Sequence, residues 1–161
     1  MKQRVYIETT IVSYLTSKPS RDLIVAAHQA VTREWWEEQR EQYELCTSEL
    51  VLAEAARGDF ASAGQRLQIL SGMPLIPTTD KVTALARSLV KRGLLPEQAS
   101  ADAMHLALAT VDDTDILLTW NCRHLANPII IGQIGRFVRT MGYELPTVCT
   151  PDEFLDAMSE L

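Results

Sequence analysis

The chain has 161 residues, 47% hydrophobic and 22% charged, which fits one ordinary globular domain over residues 1–161 and excludes disordered and fibrous classes. Its 15 basic and 21 acidic residues leave a net charge of −6, which argues against a protein that coats nucleic acid by charge alone. No apolar run approaches the roughly 18 residues of a membrane span, Val5-Tyr6-Ile7 is too short for a signal-peptide core, and Cys46, Cys122 and Cys149 form no CxxC pair. The expectation is therefore a cytoplasmic protein without membrane, disulfide framework or cysteine zinc site.

Short apolar runs alternate with helical patterns, which predicts an α/β fold with a mostly parallel sheet. Arg4 to Ile7 reads as the first strand, and Glu8 to Leu15 as a helix leaving its carboxyl end. Thr16 to Ser20 is a break, and Asp22 to Arg40 a long helix. Tyr43 to Thr47 reads as a second strand; Ser48 then caps a helix through Arg57 that stops at Gly58. Phe60, Ala63, Leu67 and Leu70 recur at helical spacing up to Gly72. Leu75-Ile76 is a very short third strand, and Asp80 to Arg92 a helix closed by Gly93. Pro96 suits the first turn of a helix running to about Val111. Asp115 to Trp120 is a fourth strand, Ile129 to Met141 a helix and Thr147-Val148 a small edge strand. Thr150-Pro151-Asp152-Glu153 has a capping-box pattern that opens a last helix.

In open parallel sheets, sites form outside the carboxyl ends of the strands. Glu8 directly follows the first strand, and Asn121 follows the fourth. Glu54 and Asp102 lie inside helices of alanine and leucine, where a carboxylate is costly to bury without a partner. A hard divalent cation is one such partner, and an acidic site neutralised by metal is compatible with the acidic composition. Plainer readings stand beside this one. Glu8 and Asp102 could favour helix N-termini through the dipole, Glu54 could pair with Arg57, and Asn121 could be a turn residue.

Four segments in order resemble the PIN domain family, in particular the small VapC-type toxins of toxin–antitoxin pairs. They are Val5-Tyr6-Ile7-Glu8-Thr9-Thr10, Thr47-Ser48-Glu49-Leu50-Val51-Leu52-Ala53-Glu54, Ala101-Asp102-Ala103-Met104-His105-Leu106-Ala107, and the stretch from Asp115 to Leu125. The resemblance implies a three-layer α/β/α fold with a parallel sheet of four or five strands. It implies an endoribonuclease using Mg²⁺ or Mn²⁺, a homodimer, and a small antitoxin partner that blocks the acidic site. The three metal-holding acids fall on Glu8, Glu54 and Asp102. Thr119 and Asn121 complete the catalytic set, supporting the metal rather than binding it.

Two departures stand out. The first acid is usually aspartate, and the extra methylene of Glu8 displaces its carboxylate by about 1.5 Å. The position after the fourth strand, often acidic, is the neutral Asn121, which predicts weaker affinity for any second metal. Thr9 and Thr10, at a helix N-terminus, are candidates for phosphate contact as well as simple caps. Arg57, Arg123 and His124 are candidates for substrate contact. His105 is read as a packing or supporting histidine, because PIN-type sites use oxygen ligands. Trp35, Trp36 and Trp120 are read as packing residues rather than base-stacking platforms. The competing expectation is a PIN-like module that has lost catalysis and acts through protein contacts, favoured by Glu8 and Asn121.

Overall fold

The computed structural model describes residues 1–159, with side chains described through residue 156. Its strands are β1 (Arg4–Ile7), β2 (Glu44–Ser48), β3 (Leu75–Ile76), β4 (Ile116–Leu118) and β5 (Thr147–Cys149). Its helices are α1 (Thr9–Thr16), α2 (Leu23–Glu38), α3 (Glu49–Ala55), α4 (Phe60–Leu70), α5 (Asp80–Lys91), α6 (Ser100–Val111), α7 (Pro128–Thr140) and α8 (Pro151–Ser159).

Parallel strands need long crossovers, and helices fill that role here. The five strands lie in the order β3-β2-β1-β4-β5, and every pairing is parallel. Val5 aligns with Leu45 on one side and Ile116 on the other. Val5, Tyr6, Ile7, Leu117 and Leu118 are fully buried, as expected for central strands covered on both faces. The expected α/β architecture, a parallel sheet flanked by helices, is what forms. Among the described residues no helix is long and apolar enough to cross a membrane.

The strand order reverses beside β1, so a crevice opens between the carboxyl ends of β1 and β4. Glu8 follows β1, with its amide bonded to the Leu118 carbonyl at 3.3 Å. Thr119 follows β4, with its amide bonded to the Cys149 carbonyl at 3.1 Å. Both side chains are thereby delivered to one crevice.

Boundaries differ from the sequence reading at several elements, α3 for one ending at Ala55 rather than Arg57, and at three places the local reason is plain. Ser48 both ends β2 and caps α3, its hydroxyl accepting from the Val51 amide at 3.2 Å. Pro96 does not sit in the first turn of α6. It precedes a 3-10 turn at Glu97–Ala99, and α6 begins only at Ser100, which leaves Asp102 in its first turn. Helix α7 starts at Pro128 because the Asn127 side chain accepts from the Ile129 and Ile130 amides at 3.1 and 3.3 Å.

Candidate active site

Glu8 is the N-cap of α1 and is only 5% exposed. Its Oε2 accepts from the Thr10 amide at 3.1 Å, the Thr10 hydroxyl at 2.5 Å and the Thr119 hydroxyl at 2.8 Å. Thr10 Oγ1 in turn accepts from the Trp120 amide at 2.9 Å, and Thr119 Oγ1 accepts from the Asn121 amide at 3.0 Å. One oxygen of Glu8 is thus held by three donors, and Oε1 is the oxygen facing His105, at 4.0 Å from Nε2. The added methylene of glutamate is accommodated by this clamp between β1 and β4.

Glu54 reaches the same crevice from α3. Its Oε1 accepts from the Thr9 hydroxyl at 2.7 Å and lies 2.6 Å from His105 Nε2. Burial works against the charged form of Glu54, but bonding to His105, the histidine charge, the Thr9 hydroxyl and the Arg57 charge outweigh it. Its carboxyl is held below the ordinary glutamate range.

His105 is 1% exposed and fixed on both sides. Its Nδ1 lies 2.8 Å from the Tyr6 hydroxyl, which lies 2.8 Å from the Ser48 hydroxyl. Tyr6 and His105 also meet edge to face, with centroids 5.9 Å apart. Burial pushes the Tyr6 phenol far above its ordinary pKa, so it stays protonated and bonds as a neutral hydroxyl.

Asp102 has both oxygens engaged. Asn121 Nδ2 donates to Oδ1 at 2.9 Å, and His124 Nδ1 lies 2.8 Å from Oδ2. Asn121 Oδ1 accepts from the His124 amide at 3.1 Å, so the loop after β4 folds around this one carboxylate.

The structure therefore forms two hydrogen-bonded groups: Glu8 with Thr10 and Thr119, continued through Asn121 to Asp102 and His124, and Glu54 with Thr9 and His105. The threonine hydroxyls are spent on carboxylates, which favours the capping and orienting reading over direct phosphate contact. Among the described residues, the candidate metal ligand atoms within 4.8 Å of one another belong to Glu8, Glu54 and His105. Asp102 does not join that group, and His105 does. Arg57 and Arg123 are exposed. A groove of about 900 Å³ runs from Glu54 past Ser13, Lys18, Arg57 and Gln65. The Arg66 guanidinium braces its rim by donating to the Ala55 and Arg57 carbonyls, at 2.9 and 2.5 Å.

Trp120 is no open platform. Its ring is stacked on His28 at 4.0 Å and met edgewise by Tyr14, while its Nε1 donates to Thr32 at 2.7 Å. Trp35 is fully buried against Tyr43 and Phe154, and Trp36 lies under the Arg40 guanidinium. The sequence reading did not single out Tyr6. A tyrosine in the centre of a strand buried on both faces needs a hydroxyl partner, and that need is the signal pointing to His105.

A family model for the PIN domain matches residues 5–123, the span that carries Glu8, Glu54, Asp102 and Asn121. The chain belongs to the PIN domain family. Two solved structures share the fold of this PIN domain over nearly its whole length. VapBC2 from Rickettsia felis, bound to a DNA fragment from their promoter, aligns with a TM-score of 0.57 and 16% identity over 92% of this chain and 98% of that one. VapBC-1 from nontypeable Haemophilus influenzae aligns with a TM-score of 0.54 and 12% identity over 93% and 99%. At these identities the likeness is one of fold. No curated protein matches the sequence.

Proposed function

We propose that this PIN domain is a metal-dependent endoribonuclease, a single cytoplasmic domain over residues 1–161 that acts as the toxin of a toxin–antitoxin pair. The observation that carries the reading is the pair of oriented carboxylates Glu8 and Glu54 beside the switch point of the sheet, with Asp102 tied to the loop after β4 through Asn121. Family membership supports the nuclease, and the VapBC complexes among the structural neighbours support a small antitoxin partner. Leu23, Ile24 and Phe60, 86%, 70% and 95% exposed, offer apolar surface for the antitoxin or for a second copy in a homodimer.

The donor set fits Mg²⁺ or Mn²⁺: it is dominated by carboxylate oxygen, and one of its carboxylates is nearly buried. When bound, the cation supplies an activated water and charge relief on the phosphate oxygens. Glu8, Glu54 and Asp102 hold it. Thr10 and Thr119 orient Glu8, Thr9 orients Glu54, and Asn121 with His124 orients Asp102. Lys18 and Arg57 line the groove and receive the RNA backbone, with Arg123 as a further exposed contact. Water adds at phosphorus, the bond to O3′ breaks, and the products carry a 3′-hydroxyl and a 5′-phosphate.

A second reading is favoured by Asn121. It stands where the family often has an acid, and it ties up an oxygen of Asp102 instead of adding a charge. On that reading the domain is a catalytically idle module acting through protein contacts. The test is incubation of the partner-free protein with a pool of structured RNAs in Mn²⁺, Mg²⁺ or EDTA, with D102N as control. Metal-dependent cleavage that D102N abolishes is the expected result. No cleavage and no Mn²⁺ uptake by calorimetry would leave the idle module as the function.

A further inference from the structure

We infer that His105 supplies a nitrogen ligand to the cation of this site, and that the site therefore prefers Mn²⁺ to Mg²⁺. The inference rests on the metal-dependent reading above and concerns the ligand set alone.

The arrangement of three side chains argues for it. His105 Nε2 lies 2.6 Å from Glu54 Oε1 and 4.0 Å from Glu8 Oε1, so a nitrogen and two carboxylate oxygens face a common point. The imidazole is almost fully buried and its far nitrogen is held by the Tyr6 hydroxyl. Metal-binding histidines are oriented in this manner, with the second ring nitrogen bonded to a fixed partner.

The ring can serve two states without losing a partner. With the proton on Nε2, His105 donates to Glu54, and the Tyr6 hydroxyl donates to Nδ1. With the proton on Nδ1, His105 donates to the Tyr6 oxygen, and Tyr6 donates to Ser48. The second arrangement leaves the Nε2 lone pair free on the side of Glu54 Oε1, with Glu8 Oε1 4.0 Å away. A cation taken there accepts both atoms of the former His105–Glu54 bond, so neither buried group is orphaned. Mn²⁺ shares the liking of Mg²⁺ for oxygen but, as a transition metal, takes an imidazole nitrogen more readily than Mg²⁺, which keeps its waters. A nitrogen in the set thus shifts preference toward Mn²⁺.

Pulsed electron paramagnetic resonance of the metal-free chain loaded with Mn²⁺ reads this directly, with no substrate present. The expected spectrum carries a histidine nitrogen coupling that changes to the ¹⁵N pattern when only histidine is ¹⁵N-labelled. Because that measurement uses the unmutated protein, it does not depend on a variant folding. The coupling disappears in His105→Gln and persists in His124→Gln. By calorimetry, His105→Gln lowers the Mn²⁺ preference over Mg²⁺ by about tenfold or more, since even an outer partner of a metal site is worth roughly that much. Mn²⁺ bound without histidine coupling, or with coupling that only His124→Gln removes, overturns the inference and leaves the nuclease reading standing. Failure of the chain to bind Mn²⁺ at all overturns both.

Discussion

At Glu54 burial is outweighed by His105 first, then by the Thr9 hydroxyl and the Arg57 charge. Its carboxyl is held below the ordinary range, so folding favours the ionised form. The sign follows directly. An unfolded glutamate titrates near about 4.3, so the stability that Glu54 contributes is complete above that pH and is lost as pH falls through the lower folded value. In EDTA, Glu54→Gln is therefore less stable than the wild type at pH 7, and the difference shrinks on acidification below about pH 4. Urea titrations of both proteins at pH 7, 5 and 3.5 measure it; a gap that widens toward low pH would contradict the assignment. The residue scale is also where the sequence was least legible. Glu8 stood out as a carboxylate at a strand end, and Glu54 and Asp102 as carboxylates among alanines and leucines, while Thr119 came only from the family resemblance. The Tyr6–His105 pair could not, because its members are 99 residues apart and each passes for core packing. Thr9 and Thr10 were legible as helix-start residues, but only the fold shows that their hydroxyls close on Glu54 and Glu8.

The elements were read more fully than their ends. Hydrophobic runs and punctuating glycines placed all five strands and all eight helices, because a parallel sheet with helical crossovers forces those periods on the chain. What local pattern could not supply was pairing order, and hence that β1 lies between β2 and β4 and brings Glu8 beside Thr119. Ends depend on single side chains. Helix α7 was expected from Ile129, yet Asn127 caps it and Pro128 fills the position where no amide is needed. This cap also closes the loop that carries Asn121 and His124. Asn127→Ala leaves the Ile129 and Ile130 amides without their side-chain acceptor and costs about 1 kcal/mol of stability. Guanidinium unfolding of the variant measures this. Asn127→Asp, which keeps the acceptor, restores most of the loss.

For the whole molecule the deciding quantity is its charge of −6. A basic nucleic-acid-binding protein gathers its ligand by releasing counterions, and one that neutralises six or more phosphates loses about a thousandfold in affinity between roughly 50 and 200 mM salt. The groove beside Glu54 has few free cations for an RNA backbone on the proposed reading. Lys18 and Arg57 line the groove, while Arg66 spends its guanidinium on two backbone carbonyls and Arg4 is paired with Asp112 at 2.6 Å. On the proposed ribonuclease reading the net charge of −6 opposes RNA, so recognition would depend on the metal-loaded site and on few phosphate contacts. Added monovalent salt weakens those contacts but also screens the long-range repulsion, whose reach falls to about 8 Å at physiological ionic strength. The two effects oppose each other. Raising KCl from about 50 to 200 mM at saturating Mn²⁺ therefore changes the KM for RNA cleavage by less than about tenfold, far below the basic-protein slope. Initial rates on a single cleaved RNA across that salt range measure it. A thousandfold rise in KM would mean that several cations outside this groove grip the RNA backbone, and that the groove beside Glu54 is not where the substrate is chiefly held.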